Sequence, residues 1–243
     1  MFECEYHNLK IESNSNQALV NLSKVEVRPF HEDDIVKIAT MHREIFPEYF
    51  LSHLGVSFLS LFYREFLHSN QNCGYVAEYN DKLIGLVAGT KQSVQFFQQF
   101  YGRNFARVAF LILKGLLTDK VVRRSIRKRT THFRYAWQSF WRPKITSISS
   151  GKINSCQPFS ILSLGVKQEY RGLGVAEKLL IEYCAQLYIQ EVQKVSLTVL
   201  PHNSRAIAFY NKCGWYEESH STTSIRFSYS FTQINTFDKT NMR

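Results

Sequence analysis

The stretch from Phe159 to Glu182 constrains this chain more than any other. It reads Phe-Ser-Ile-Leu-Ser-Leu-Gly-Val-Lys-Gln-Glu-Tyr-Arg-Gly-Leu-Gly-Val-Ala-Glu-Lys-Leu-Leu-Ile-Glu. Its first half, 159–166, is apolar and β-prone and reads as a strand. From Val175 onward, Ala176, Leu179, Leu180, Tyr183 and Leu187 recur at helical spacing. Between the two lies Arg171-Gly172-Leu173-Gly174-Val175-Ala176. Glycines there let the backbone approach a ligand and take dihedrals that other residues avoid. The helix then offers unpaired N–H groups and the positive end of its dipole. That geometry suits a pyrophosphate. Taken alone, the turn is equally compatible with an empty strand-to-helix connection. It lacks the three-glycine dinucleotide fingerprint, and no Gly-Lys-Ser/Thr P-loop occurs in the chain.

A second stretch, 194–215, reads Lys-Val-Ser-Leu-Thr-Val-Leu-Pro-His-Asn-Ser-Arg-Ala-Ile-Ala-Phe-Tyr-Asn-Lys-Cys-Gly-Trp. It contains a strand over 195–200, a helix cap at Asn203 or Ser204, and a helix stop at Gly214. Together the two stretches resemble the GNAT superfamily of acyl-CoA-dependent N-acyltransferases. Arg171, Gly174 and Ala176 match its Gln/Arg-x-x-Gly-x-Gly/Ala signature. Asn203, Ala206, Phe209, Tyr210 and Gly214 match its second run, with Trp215 in place of the usual Phe. The resemblance covers 159–230 well and 24–90 loosely.

The resemblance implies an α/β (α+β) fold, with a central mixed, mostly antiparallel sheet flanked by helices. It implies acetyl-CoA as co-substrate and no metal. Backbone N–H groups of Leu164 and Val166 would meet pantetheine and the acetyl carbonyl. Gly172, Gly174, Val175 and Ala176 would hold the pyrophosphate, and Gly165, Arg171, Leu173 and Ala206 belong to the same cofactor-binding set. Asn203 would contact the pantetheine arm. Tyr210 would stand near the sulfur as general acid, since a phenol with a reference pKa of about 10 is protonated at neutral pH. On its helix alone, Tyr210 is as simply an aromatic packed on a sheet. No acid lies on the strand 159–166, so the general base is open; Glu78 and Glu48 are the candidates, and Ser163 could orient a water.

The rest of the chain fits this frame. Residues 1–23 are polar and lack a period, and read as an N-terminal extension. An acetyltransferase domain spans 24–230, and 231–243 is a polar tail. Lys24 to Phe30 is a first strand, and a helix starting near His31 ends at Pro47. A second helix is expected over 56–68, then a hairpin of strands 74–79 and 83–90 around Asn80-Asp81-Lys82. In the family, the loop between the first two helices borders the acceptor site. That makes Glu44, Glu48, Tyr49 and His53 candidates for substrate contact.

The departure lies between the third and fourth strands, where a helical basic insertion, 91–152, replaces a short turn. It carries fourteen Lys/Arg and one acid, Asp119, whereas the remainder has sixteen basic and nineteen acidic residues. Val94 to Leu117 is apolar and helix-compatible, with a break at Gly102; a basic run, 120–129, and then Tyr135, Trp137, Phe140 and Trp141 follow. Three readings stay open: a solvated helical pair, attachment to an anionic membrane or lipid-linked substrate, and a polyanion or nucleic-acid site. The apolar share of 94–117 exceeds what nucleic-acid contact requires, which ranks the membrane above it.

Five scattered cysteines without a Cys-x-x-Cys pair suggest neither zinc ribbon nor disulfide framework. With no apolar leader after the acidic start, a cytoplasmic protein is expected, freely soluble or peripheral to the membrane. The function this supports is acetyl transfer from acetyl-CoA to a primary amine of a small molecule. Phe46-Pro-Glu-Tyr-Phe-Leu51 and the basic-aromatic insertion resemble members associated with bacterial surface-polysaccharide assembly, which implies an amino sugar. The rivals are a non-catalytic acyl-CoA sensor and a nucleic-acid-binding module.

Overall fold

The computed structural model describes residues 20–118, 120, 123 and 158–231. Seven strands form one sheet in the order β1-β2-β3-β4-β5-β7-β6. They are β1 (Glu26–Pro29), β2 (Asn72–Tyr79), β3 (Lys82–Thr90), β4 (Phe159–Val166), β5 (Lys194–Val199), β6 (Tyr216–His220) and β7 (Ile225–Ser230). Every neighbouring pair is antiparallel except β4 and β5. The helices are α1 (Ile35–Ile45), α2 (Phe50–His53), α3 (Gly55–Arg64), α4 (Ser93–Thr118), α5 (Val175–Ile189) and α6 (Ser204–Lys212).

The β2–β3 hairpin turns on Asn80 and Asp81, both with positive φ (49° and 60°). Short polar side chains tolerate that region, and a two-residue turn with positive φ at both positions follows the natural twist of paired strands. In β3, Leu83, Leu86 and Ala88 pack on one side of the sheet and Ile84 and Val87 on the other. Both faces are covered, which is why this strand reads as an unbroken apolar run.

One face carries α1, α3 and the first part of α4. Their contact is aromatic: Phe62 meets Phe66, Phe96 and Phe100 edge-on at 5.4, 5.6 and 5.9 Å. The other face carries α5, whose Leu179, Leu180, Tyr183 and Leu187 are buried against the sheet. The close approach of α5 needs Gly89. A Cβ there would lie 2.6 Å from the Ser160 carbonyl and 2.8 Å from the Tyr183 hydroxyl.

Several boundaries differ from the sequence reading for local reasons. The packed chain begins before residue 24: Val20 and Leu22 rest on the α5-side core, and Asn21 caps a short turn over Leu22–Lys24. The second long helix stops at Arg64, and Glu65–Leu67 tightens into a 3₁₀ turn. Helix α4 does not break at Gly102. It kinks at Asn104 (φ −114°, ψ 15°), whose side-chain amide donates to the Phe100 carbonyl at 3.0 Å. Insertion residues 124–157, including the aromatic run, lie outside the described residues.

Arg28 ties β1 to its surroundings. Its guanidinium reaches Asp34 at 2.6 Å and Glu78 at 2.6 Å. The hydrogen bond from Arg28 holds the Asp34 carboxyl below its ordinary value, against the opposing effect of burial. An acid with a lowered folded pKa stabilises the fold above its unfolded value, about 3.9, and loses that contribution as pH falls through the folded one. Asp34→Asn is therefore expected to cost about 2 kcal/mol at pH 7, as for a hydrogen bond to a charged group, because Glu78 still holds the guanidinium. Urea denaturation should show variant and wild type converging as pH drops below 4.

Candidate functional site

The site begins where β4 and β5 part. They pair in parallel only at Phe159–Val195 and Ser160–Ser196. Beyond that point β4 stays bonded to β3 and β5 to β7, so the two diverge. A β-bulge sits at the parting: Ile161 pairs with Gly89 and Ser163 with Ala88, leaving Leu162 without an opposite residue. The divergence opens a cleft of about 550 Å³. Its walls are Leu164, Gly165 and Val166 from β4, the 170–177 turn, and residues 203–212 of α6 and its cap; Ile45, Phe46 and Tyr49 close the α1 side.

The turn has the predicted form. Gly172 and Gly174 both take φ of 80°, a left-handed conformation that side chains resist. Nothing lies within 4 Å of where a Gly172 Cβ would stand, so that face is open. Gly174 precedes α5, and its carbonyl accepts the Lys178 N–H at 3.0 Å. The N–H groups of the first turn of α5 therefore point toward the cleft end. Glu177 on that turn pairs with Lys212 of α6 at 3.1 Å, bridging the two helices.

The predicted residues divide into two groups. Leu164, Gly165, Val166, Arg171, Gly172, Gly174, Ala176, Asn203, Ala206 and Tyr210 line one cleft. Leu173 and Val175 belong to the same turn, but Val175 is buried in the core beneath it. Arg171 has a role that the motif did not suggest. Its Nε donates to the Val166 carbonyl at 2.9 Å and its Nη2 to the Ile45 carbonyl at 3.3 Å. It ties the turn to β4 and α1. Burial, and then the nearby Arg205, lower its pKa, so two cations stand at this end of the cleft. Asn203 caps α6, its side-chain oxygen accepting the Ala206 N–H at 3.1 Å.

Tyr210 is buried against Phe209, Trp215 and Phe227 at ring distances of 5.2, 5.6 and 5.8 Å. Burial raises its pKa, which keeps the phenol protonated. The thiols nearby are inert for the same reason: burial pushes Cys184 up to about 12 and Cys213 up to about 11.

The two candidate bases are elsewhere. Glu78 lies on β2, bound to Arg28, and does not line the cleft. Its carboxylate balances a guanidinium on the far side of β3. Glu48 is exposed and also outside the lining. Of the loop candidates, Tyr49 enters the cleft, whereas Glu44 pairs with Lys167 at 3.1 Å. Among the described residues, the one carboxylate in the lining is Glu177. The sequence reading missed Phe46 and Arg205 as lining residues. Nor did it single out His42, which lies on α1 with the Tyr63 hydroxyl 2.6 Å from its Nδ1. Among the described residues, no group of three or more His, Cys, Asp or Glu is placed to hold a metal ion.

Residues 150–215 match the model of the acetyltransferase (GNAT) family. Over this segment the chain is similar to that family, and its fold is shared with solved N-acetyltransferases. PaiA N-acetyltransferase from Thermoplasma acidophilum, solved in complex with coenzyme A, superposes with a TM-score of 0.53 at 14% identity, over 85% of this chain and 99% of that one. The spermidine/spermine N-acetyltransferase SpeG from Vibrio cholerae gives 0.51 at 15% identity, over 89% and 99%. The GNAT domain of S. lividans PAT gives 0.51 at 14%, over 85% and 90%. No curated protein matches the chain by sequence. At such identities the likeness establishes the fold, and what the cleft does follows from its own residues.

Arg171→Leu tests the structural role of the guanidinium. It strips two backbone carbonyls of their donor, at a cost of about 1–3 kcal/mol. The loss should appear in urea denaturation of the ligand-free protein, where a residue that served only to bind ligand would leave stability unchanged.

Proposed function

We propose that the protein transfers an acetyl group from acetyl-CoA to a primary amine of a small molecule. The observation that carries this reading is the cleft between diverging β4 and β5, with a left-handed glycine turn at one end and a buried phenol in its wall. The structural neighbours include an N-acetyltransferase in complex with coenzyme A and a spermidine/spermine N-acetyltransferase, which supports the same reaction class.

The residues fit the co-substrate. The bare edge of β4 beyond Ser160 offers N–H groups of Leu164 and Val166 to the amides of pantetheine. Gly172, Gly174, Val175 and Ala176 bring main-chain donors to the diphosphate, with Arg171 and Arg205 adding positive charge. Asn203 spends its oxygen on the helix cap, which leaves its amide to reach the pantetheine arm. Tyr210, held protonated, supplies a proton to the departing sulfur.

The acceptor is narrowed by the lining's lack of a free base. Among the described residues its one carboxylate is Glu177, which Lys212 already engages. A weakly basic amine suits such a cleft, because it needs no strong base when a useful fraction is already unprotonated. An amino sugar, free or linked to a nucleotide or lipid, has that chemistry.

Isothermal calorimetry with coenzyme A and thiol release from acetyl-CoA across amino sugars, amino acids, polyamines and peptides test the reading. Tyr210→Phe should keep coenzyme A affinity and lower kcat by about 10²–10⁴-fold, the range for general acid catalysis. A sensor that only binds would lose nothing on that substitution, and a cleft giving no heat with coenzyme A would refute the reading.

One observation favours a membrane-peripheral setting as well. The outer part of α4 leaves Phe110 and Leu117 65% and 73% exposed, with Phe105 and Leu113 also bare. Arg107 and Lys114, both exposed, are interleaved with these apolar residues along the same helix, whereas Arg103 is taken by Glu65. No helix among the described residues is long and apolar enough to cross a membrane. Flotation with vesicles of phosphatidylcholine and phosphatidylserine should recover the protein, and Phe110→Ser with Leu117→Ser should abolish recovery without changing coenzyme A binding.

A further inference from the structure

Two polar groups are buried, and a third half-buried beside them, where packing alone gives no reason for them. His42 of α1, Tyr63 of α3 and Ser163 of β4 form a line, with His42 Nδ1 2.6 Å from the Tyr63 hydroxyl and that hydroxyl 3.1 Å from Ser163 Oγ. The surroundings are apolar: Phe30, Phe46, Phe62 and Phe66 all place rings against His42 or Tyr63. Apolar side chains of similar size would fill this volume without the cost of burying polar atoms. His42 Nε2 is itself buried with no hydrogen-bond partner. An orphan of that kind in a native core calls for an explanation beyond stability. The line is closed at His42 and Tyr63, both buried, and half-open at Ser163.

The bulge accounts for where Ser163 points. Leu162 joins the core on the α1 and α3 side, and Ser163 meets Tyr63 on that same side. Next on this face comes Gly165, where a Cβ would strike Ile45 and Phe46 at 2.6 Å. Gly165, Ile45 and Phe46 are all walls of the cleft. Ser163 is not itself in the lining, but it is half-exposed and stands one residue before the wall residue Leu164 and two before Gly165 on the same face, just past the point where β4 leaves β5.

We propose that Ser163 donates a hydrogen bond to the acyl oxygen during transfer, and that Tyr63 and His42 are positioning residues that aim its hydroxyl. This rests on the transferase reading above. The direction follows from the orphaned nitrogen. One tautomer of His42 would leave a bare N–H in an apolar wall, the other a bare lone pair, and orphaned N–H groups are the rarer in proteins. Nδ1–H then donates to the Tyr63 oxygen, Tyr63 donates to Ser163, and the serine proton is left facing the cleft.

A proton relay is the rival use of such a line. It would end as an imidazolium at His42, and burial holds that ring down to about 4. At neutral pH the line stays uncharged and acts by aim. As the amine nitrogen bonds to the acyl carbon, the acyl oxygen gains negative charge and Ser163 faces it. The carbon–sulfur bond then breaks as the departing sulfur takes the Tyr210 proton; the amine gives its proton to water, Tyr210 is reprotonated from water, and Ser163 keeps its own.

The test follows thiol release from acetyl-CoA by the full chain, with water, with D-glucosamine, and with the amine panel above as acceptors. Ser163→Ala should lower kcat about 100-fold, the usual loss for one oxyanion donor, with the acetyl-CoA KM within about twofold. Ser163→Thr should restore much of the rate. Tyr63→Phe should lower kcat about tenfold alone and add nothing to Ser163→Ala, because residues acting through one another are not additive. A Ser163→Ala enzyme within about twofold of wild-type kcat overturns the proposal, as does a Tyr63→Phe effect that survives in the double variant. A wild-type chain that binds coenzyme A yet releases no thiol with any acceptor overturns the transferase reading and this proposal with it.

Discussion

The parting of two parallel strands after two residue pairs governs the rest of this molecule. A strand inside a sheet satisfies its backbone on both sides, and buried N–H and C=O groups left bare are costly. Here β4 keeps β3 and β5 keeps β7, but each shows the other an unpaired edge. A linear molecule with amides along its length is the natural partner for such an edge. The glycine turn at the end of β4, the cap of α6 and the Glu177–Lys212 bridge all serve to hold this opening at a fixed width.

The two faces of the sheet divide the labour. On the α5 side the core is aliphatic and aromatic, and its polar atoms are satisfied, as where Tyr183 donates to the Cys73 carbonyl at 3.0 Å. That side fixes the glycine-turn end of the cleft. On the α1 and α3 side the core is denser in rings, yet it contains the His42–Tyr63–Ser163 line. The cleft runs between the two, so a molecule lying in it touches both.

Much of this was legible in the sequence because the signals were local. The glycine turn, the hairpin at Asn80-Asp81 and the α6 cap each depend on a few adjacent residues with a single physical reading. Pairings across the chain were not legible. Glu78 alternates properly on its strand, but nothing local says that Arg28 holds it. Arg171 sits in a binding motif, and its bonds to Val166 and Ile45 appear only when α1 is folded onto β4. The kink of α4 fell at Asn104 and not Gly102 because an asparagine side chain can take a carbonyl from the helix ladder and glycine has none to offer.

The leading segment has a consequence of its own. Leu22 lies over Gly174, its Cδ1 2.9 Å from where a Cβ would stand, and Lys178 Nζ donates to the Leu22 carbonyl at 3.1 Å. Leu22 thus braces a turn some hundred and fifty positions further along the chain. The left-handed turn and the segment laid over it form one packed unit, so strain in either reaches the other. Shortening the protein past Val20, or fusing a bulky partner there, would be felt at the glycine turn.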